Sequence, residues 1–111
     1  MPEKKYKLEY LPRFYSDLES AVLYIAQTLQ NPGAAEHLLN MVQESILERL
    51  PFADAFEPYR SRYEHAHPYY RIYVDNYIIY YVVIDLRSEK IMQVRRFLHK
   101  RQDRNKHIGY E

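Results

Sequence analysis

Residues 69–85, YYRIYVDNYIIYYVVID, limit what this chain can fold into more than any other stretch. Two runs, 69–74 and 77–85, are dense in aromatic and β-branched side chains, which suit a pleated, half-buried surface. Between them stand Asp75 and Asn76, residues that tolerate the positive φ of a two-residue hairpin turn. The second run is apolar on both faces, with Ile79, Tyr81 and Val83 on one and Ile78, Tyr80, Val82 and Ile84 on the other. That pattern predicts a central strand covered from both sides.

The remaining elements arrange themselves around this hairpin. Residues 6–11, YKLEYL, alternate Tyr6, Leu8 and Tyr10 with Lys7 and Glu9, the period of a first, half-buried strand. Pro12 suits a first helical turn, and Ser16 with Glu19 offers an alternative capping-box start. Leu18, Val22, Ile25, Ala26 and Leu29 recur at helical spacing, so a helix to about Gln30 buries one face. Asn31 then caps and Pro32 opens a second helix whose stripe is Leu38, Leu39, Val42, Ile46 and Leu50, ended by Pro51. Residues 51–68 hold three prolines without a sustained period and read as a long irregular connection. A last strand is predicted over about Lys90 to Leu98, with room for a short C-terminal helix from Gln102 to Ile108. The expectation is one α+β domain over residues 1–111, ordered β-α-α-β-β-β. An N-terminal helical hairpin packs on a small, antiparallel-rich sheet.

Composition narrows the chemistry. With 111 residues and no cysteine, the chain can bury a core without disulfides, and thiolate metal sites and cysteine nucleophiles are excluded. Neither a membrane span nor a secretion signal is apparent, so a soluble, cytoplasmic protein is expected, one that does not engage a membrane. The formal net charge of +1 conceals a division. Residues 1–57 carry five Lys/Arg against nine Asp/Glu, whereas residues 58–111 carry eleven against six. A basic second half suits an anionic partner, nucleic acid or acidic protein; the alternative is that charges interleave in space and cancel.

The positive charge is densest in MQVRRFLHKRQDRNKH, residues 92–107, which leaves a strand and places His99 to His107 at the rim of the sheet. Arg95, Arg96, Lys100, Arg101 and Arg104 could grip phosphate or an acidic partner there. Tyr69 and Tyr73 flank Arg71 on one side of a strand, so rings and a guanidinium share a surface, although packing is tyrosine's more usual role on a sheet. Metal-free RNA cleavage needs a base, an acid and cations around the phosphate. His99 and His107 could move protons while Arg71, Arg96 and Arg101 stay charged. A solvated basic edge accounts for the same residues. Glu64-His65-Ala66-His67 offers metal-binding side chains, but no third ligand is placed by sequence and a polar loop is the simpler reading, so no metal and no cofactor is expected. With Gly33 and Gly109 the only glycines, a glycine-rich phosphate loop is impossible.

In the order and spacing of YKLEYLPRFYSDLESAVLYIAQTLQNPGAAEHLL, YYRIYVDNYIIYYVVID and RRFLHKRQD, the chain resembles the RelE/ParE superfamily, the toxins of bacterial type II toxin–antitoxin systems often called plasmid stabilisation proteins. The resemblance implies a growth inhibitor made with a small cognate antitoxin, which covers the basic surface and alone contacts operator DNA. Two branches of the superfamily stay open. RelE-like toxins are mRNA interferases, metal-independent endoribonucleases that cut message on the ribosome. By position, Arg71 matches a basic residue of the first hairpin strand, Arg101 the arginine after the last strand, and His107 the place of a terminal tyrosine. His99 is an alternative base. Where that branch has Tyr-Arg, this chain has Tyr77-Ile78. ParE-like toxins inhibit DNA gyrase without catalytic residues, and their His-x-Arg-x-Asp ending is similar to His99-Lys100-Arg101-Gln102-Asp103. Whether the chain is an enzyme is left undecided. A third alternative is a catalytically inactive antitoxin-binding or basic protein-interaction module.

Overall fold

The computed structural model describes residues 5–58 and 67–102. Strand β1 (Lys5–Tyr10) leads into helix α1 (Pro12–Leu23), which runs on as a π-helical turn, Tyr24–Thr28. Helix α2 (Pro32–Arg49) follows, then a short 3₁₀ turn, Leu50–Phe52, and strands β2 (Tyr70–Val74), β3 (Tyr77–Asp85) and β4 (Glu89–His99), with a final 3₁₀ turn at Lys100–Gln102. The α+β order β-α-α-β-β-β is the one predicted. The sheet runs β1-β4-β3-β2. β1 lies parallel to β4, from Lys5 opposite Glu89 to Tyr10 opposite Val94, while β2–β3 and β3–β4 are antiparallel. Its Asp75 adopts φ 51°, the positive φ anticipated for the hairpin turn.

β3 is central, and both of its faces are covered. Ile79 and Tyr81 join Met92, Val94, Phe97 and Ile72 against Phe14 of α1 and Leu38, Val42 and Ile46 of α2. On the opposite face Ile78, Tyr80 and Val82 form a second buried cluster with Tyr69 and Leu98. Among the buried residues of the first cluster the one side chain bearing a polar atom able to hydrogen-bond strongly is Tyr81, and it is paired. The Tyr81 hydroxyl donates to the Ala53 carbonyl at 2.6 Å and accepts from Arg49 at 2.9 Å, which relieves the penalty of a phenol left unsatisfied indoors.

The helices differ from expectation in three details. α1 begins at Pro12 with no side-chain cap, so Ser16 opens no capping box. The helix was expected to reach about Gln30 with Leu29 on its buried stripe, yet Leu29 is exposed. From Tyr24 onward the hydrogen bonds widen, the Leu29 N–H reaching Tyr24 and the Asn31 N–H reaching Ile25, both at 3.0 Å. This π turn packs chiefly on α1 and α2, with Ile25 against the core, and Leu29, just past its end, is left facing solvent. Along α2 the buried stripe is Ala35, Leu38, Val42 and Ile46; Leu39, predicted to share it, points to solvent. The cap stands as read: the Asn31 side chain accepts from the Ala34 N–H at 3.1 Å, and Pro32 opens the helix. The C-terminal helix expected from Gln102 to Ile108 lies almost wholly outside the described residues.

Candidate functional site at the end of strand β4

β1 accompanies β4 only as far as Val94, where the Leu11 N–H closes the ladder at 2.9 Å and Pro12 turns the chain into α1. Beyond that point the outer edge of β4 runs without a partner strand among the described residues, and side chains take its outward amides. The Phe97 N–H donates to Asp17 of α1 at 3.0 Å, and the His99 N–H donates to the Gln102 side-chain oxygen at 3.1 Å. Asp17 also receives Arg96, through Nε at 2.7 Å and Nη2 at 3.2 Å. One carboxylate therefore serves a guanidinium and a strand amide together.

Between α1 and this strand end lies a cleft of about 630 Å³. Arg13 and Ser20 of α1 and Tyr24 of the π turn form one wall; Tyr77, Phe97, His99, Arg101 and Gln102 form the other, with the Asp17–Arg96 pair between them. Arg96 is only 5 % exposed, so its charge is answered inside the protein, and breaking such a pair by removing one partner costs about 3–5 kcal/mol. The His99 side chain is held from two sides. Its Nδ1 accepts from the Arg101 N–H at 3.0 Å, its ring lies edge-on to Tyr77, and Tyr77 stacks on Phe97 with centroids 4.8 Å apart. With Nδ1 occupied as an acceptor, the neutral ring carries its proton on Nε2. The Lys100 N–H bonds to the Asn76 carbonyl at 2.8 Å, which ties the turn after β4 to the β2–β3 hairpin.

The residues singled out from sequence divide among several places. His99, Arg96 and Arg101 meet at the cleft, and Lys100 is exposed beside it. Arg71 stands on β2. It is opposite Tyr80, which is in turn opposite Arg96, so two strand spacings, about 10 Å, separate the backbones of Arg71 and Arg96. Its guanidinium lies 5.5 Å from the Tyr73 ring. Tyr73 is exposed and borders a separate hollow of about 370 Å³ beside Arg49 and Phe56. Tyr69, expected to be displayed with it, is instead buried at 1 % exposure, because its ring packs edge-on against Tyr80. Arg95, the extra residue where the β3–β4 register shifts, bonds to Gln93 at 2.7 Å and to the Tyr69 hydroxyl at 3.3 Å; Gln93 in turn bonds to Glu9 at 2.6 Å. Arg95 is thus part of a polar chain across the second face. Arg104 and His107 lie outside the described residues, as do Glu64, His65 and Ala66. Among the described residues no group of three metal-binding side chains occurs, and no helix is long and apolar enough to cross a membrane.

Sequence reading missed Arg13, Asp17 and Tyr24. Asp17 did carry a signal: it falls on the same helical face as Phe14, Leu18 and Ala21, where an acid needs a partner. Its partner, 79 residues away, could not be named without the fold.

Comparison with known families matches residues 8–104 to the ParE toxin of the type II toxin–antitoxin system parDE. The chain belongs to the ParE toxin family. The match runs from the second half of β1 through the turn after β4, and membership of the ParE family implies a cognate antitoxin. No curated protein matches it significantly.

Proposed function

We propose that this ParE-family toxin arrests growth by inhibiting DNA gyrase, acting in the cytoplasm as a binding protein rather than as a nuclease. One position carries the reading. Ile78 stands where the nuclease branch has its central arginine, and it is 1 % exposed within the second apolar cluster. A cation could enter that cluster only at a desolvation cost of several kcal/mol. Two further observations support it: Arg96 is neutralised by Asp17, and Arg71 does not line the cleft that holds Arg101 and His99. The rim of His99, Lys100 and Arg101 then serves as a basic docking surface for the target and for an acidic segment of the antitoxin.

The test is supercoiling of relaxed plasmid by gyrase with increasing purified toxin, in parallel with a ribosome assay on defined message. The expected result is dose-dependent loss of supercoiling with trapped cleavage complexes, reversed by antitoxin, and intact message. Normal supercoiling at saturating toxin rejects the proposal. Cleaved message, lost in Arg101→Ala or His107→Ala, assigns the nuclease mechanism instead. Neither activity, with unaffected growth on expression without a partner, leaves an inactive interaction module.

A further inference from the structure

The edge of β4 beyond Val94 has an unusual means of staying extended. Opposite Ile79 and Tyr77, residues Phe97 and His99 direct their amides away from β3, toward the side that β1 has already left. An outward amide on an uncovered strand invites either fraying or the addition of another strand. Here each is closed by a side-chain oxygen, Phe97 by Asp17 and His99 by Gln102. The two closures differ in kind. Gln102 lies three residues along the chain and is exposed, whereas Asp17 comes from α1, has a side chain only 16 % exposed, and is itself locked by Arg96. On its inner side the strand end stays paired to β3 as far as His99, and the Lys100 N–H is tied to Asn76; on the outer side Asp17 is the anchor nearest the cleft, with His99 two residues further on and the Arg101 N–H resting on His99 Nδ1.

We propose that Asp17 is a positioning residue for the toxin's basic rim. Its carboxylate takes the amide that no described strand reaches, holds β4 extended through Phe97, and so sets where His99 and Arg101 meet a target. Neutralising Arg96 is the lesser part of its role. The inference does not depend on which target the toxin has, because its readouts are amide exchange and growth inhibition.

Asp17→Ala alone leaves Arg96 buried without a counter-charge, so the decisive variant is the double substitution Asp17→Ala with Arg96→Met. That variant removes the charge problem while still leaving the Phe97 amide without its acceptor. In the purified full-length chain, exchange at Phe97, Leu98 and His99 is expected to quicken by about tenfold, the equivalent of one charge-assisted hydrogen bond, while Val82 and Met92 exchange as in the wild type. Growth inhibition on induction falls in step. Asp17→Asn combined with the same Arg96→Met, which retains one acceptor oxygen for the Phe97 amide and buries no unpaired charge, shows a smaller rise at the same three amides. Wild-type protection and wild-type growth inhibition in the double variant would overturn the proposal, since charge compensation would then be all that Asp17 supplies. Uniform acceleration of every core amide would overturn it as well, by making Asp17 a support of the whole fold.

Discussion

Asp54 shows how a single side chain can join distant parts of the sheet. It accepts from Lys90 of β4 at 2.7 Å and from the Tyr6 hydroxyl of β1, so the turn after α2 is pinned to the one parallel pair in the sheet. The Lys90 ammonium, and after it the Tyr6 hydroxyl, hold the Asp54 carboxyl below the ordinary carboxylate range. A carboxyl that is more acidic in the folded state than in the unfolded one stabilises the fold above its unfolded pKa. That contribution is lost as pH falls through the folded value. Asp54→Asn should therefore lower stability near neutrality and flatten the acid limb below about pH 4, as followed by denaturant midpoints across pH. The Asp54 side chain is 37 % exposed, so the loss should be about 1 kcal/mol or less. Lys90 and Tyr6 were read from sequence as strand residues, but their meeting with Asp54 required β1 to lie beside β4.

At the scale of elements, the join between α1 and α2 is where local sequence and observed geometry diverge. The residues after Leu23 form a π turn that closes with Gln30 at φ 51°. A left-handed conformation is easy for glycine but costs a residue bearing Cβ about 1 kcal/mol. Gln30→Gly is thus expected to be neutral or to stabilise by up to about 1 kcal/mol, read as a rise in thermal midpoint. A fall would mean that the Gln30 side chain makes a contact worth more than the strain. The Asn31 cap and Pro32 were legible because capping is a local contest for amide protons, decided within four residues. The π turn was not, because helical spacing alone does not reveal that the hydrogen bonds widen beyond Leu23, where the chain packs closely on α2.

For the molecule as a whole, tyrosine supplies much of the interior. Tyr6, Tyr10, Tyr70, Tyr77 and Tyr81 all have phenols pushed above their ordinary value, chiefly by burial. When the folded pKa is raised, the associated stability is complete below the unfolded value, near 10.0, and is lost as pH climbs through the folded one. Alkaline titration followed by tyrosinate absorbance should show a fraction of the 13 tyrosines ionising late and together with loss of helical circular dichroism. Independent, non-cooperative ionisation of all of them would contradict this. The sequence by itself determined the element order, the hairpin turn and the two-faced burial of β3, since periodicity and turn chemistry act between near neighbours. It also carried the family, through motifs spread along the chain. Only tertiary structure decided which cations share a surface. Arg96 was turned inward to Asp17, Tyr69 was buried, and Arg71 was set two strands away from the cleft at Arg101. The reason is physical: charge has no periodicity that reveals its partner, and a residue's company is chosen by strand order and register, which join positions some eighty residues apart.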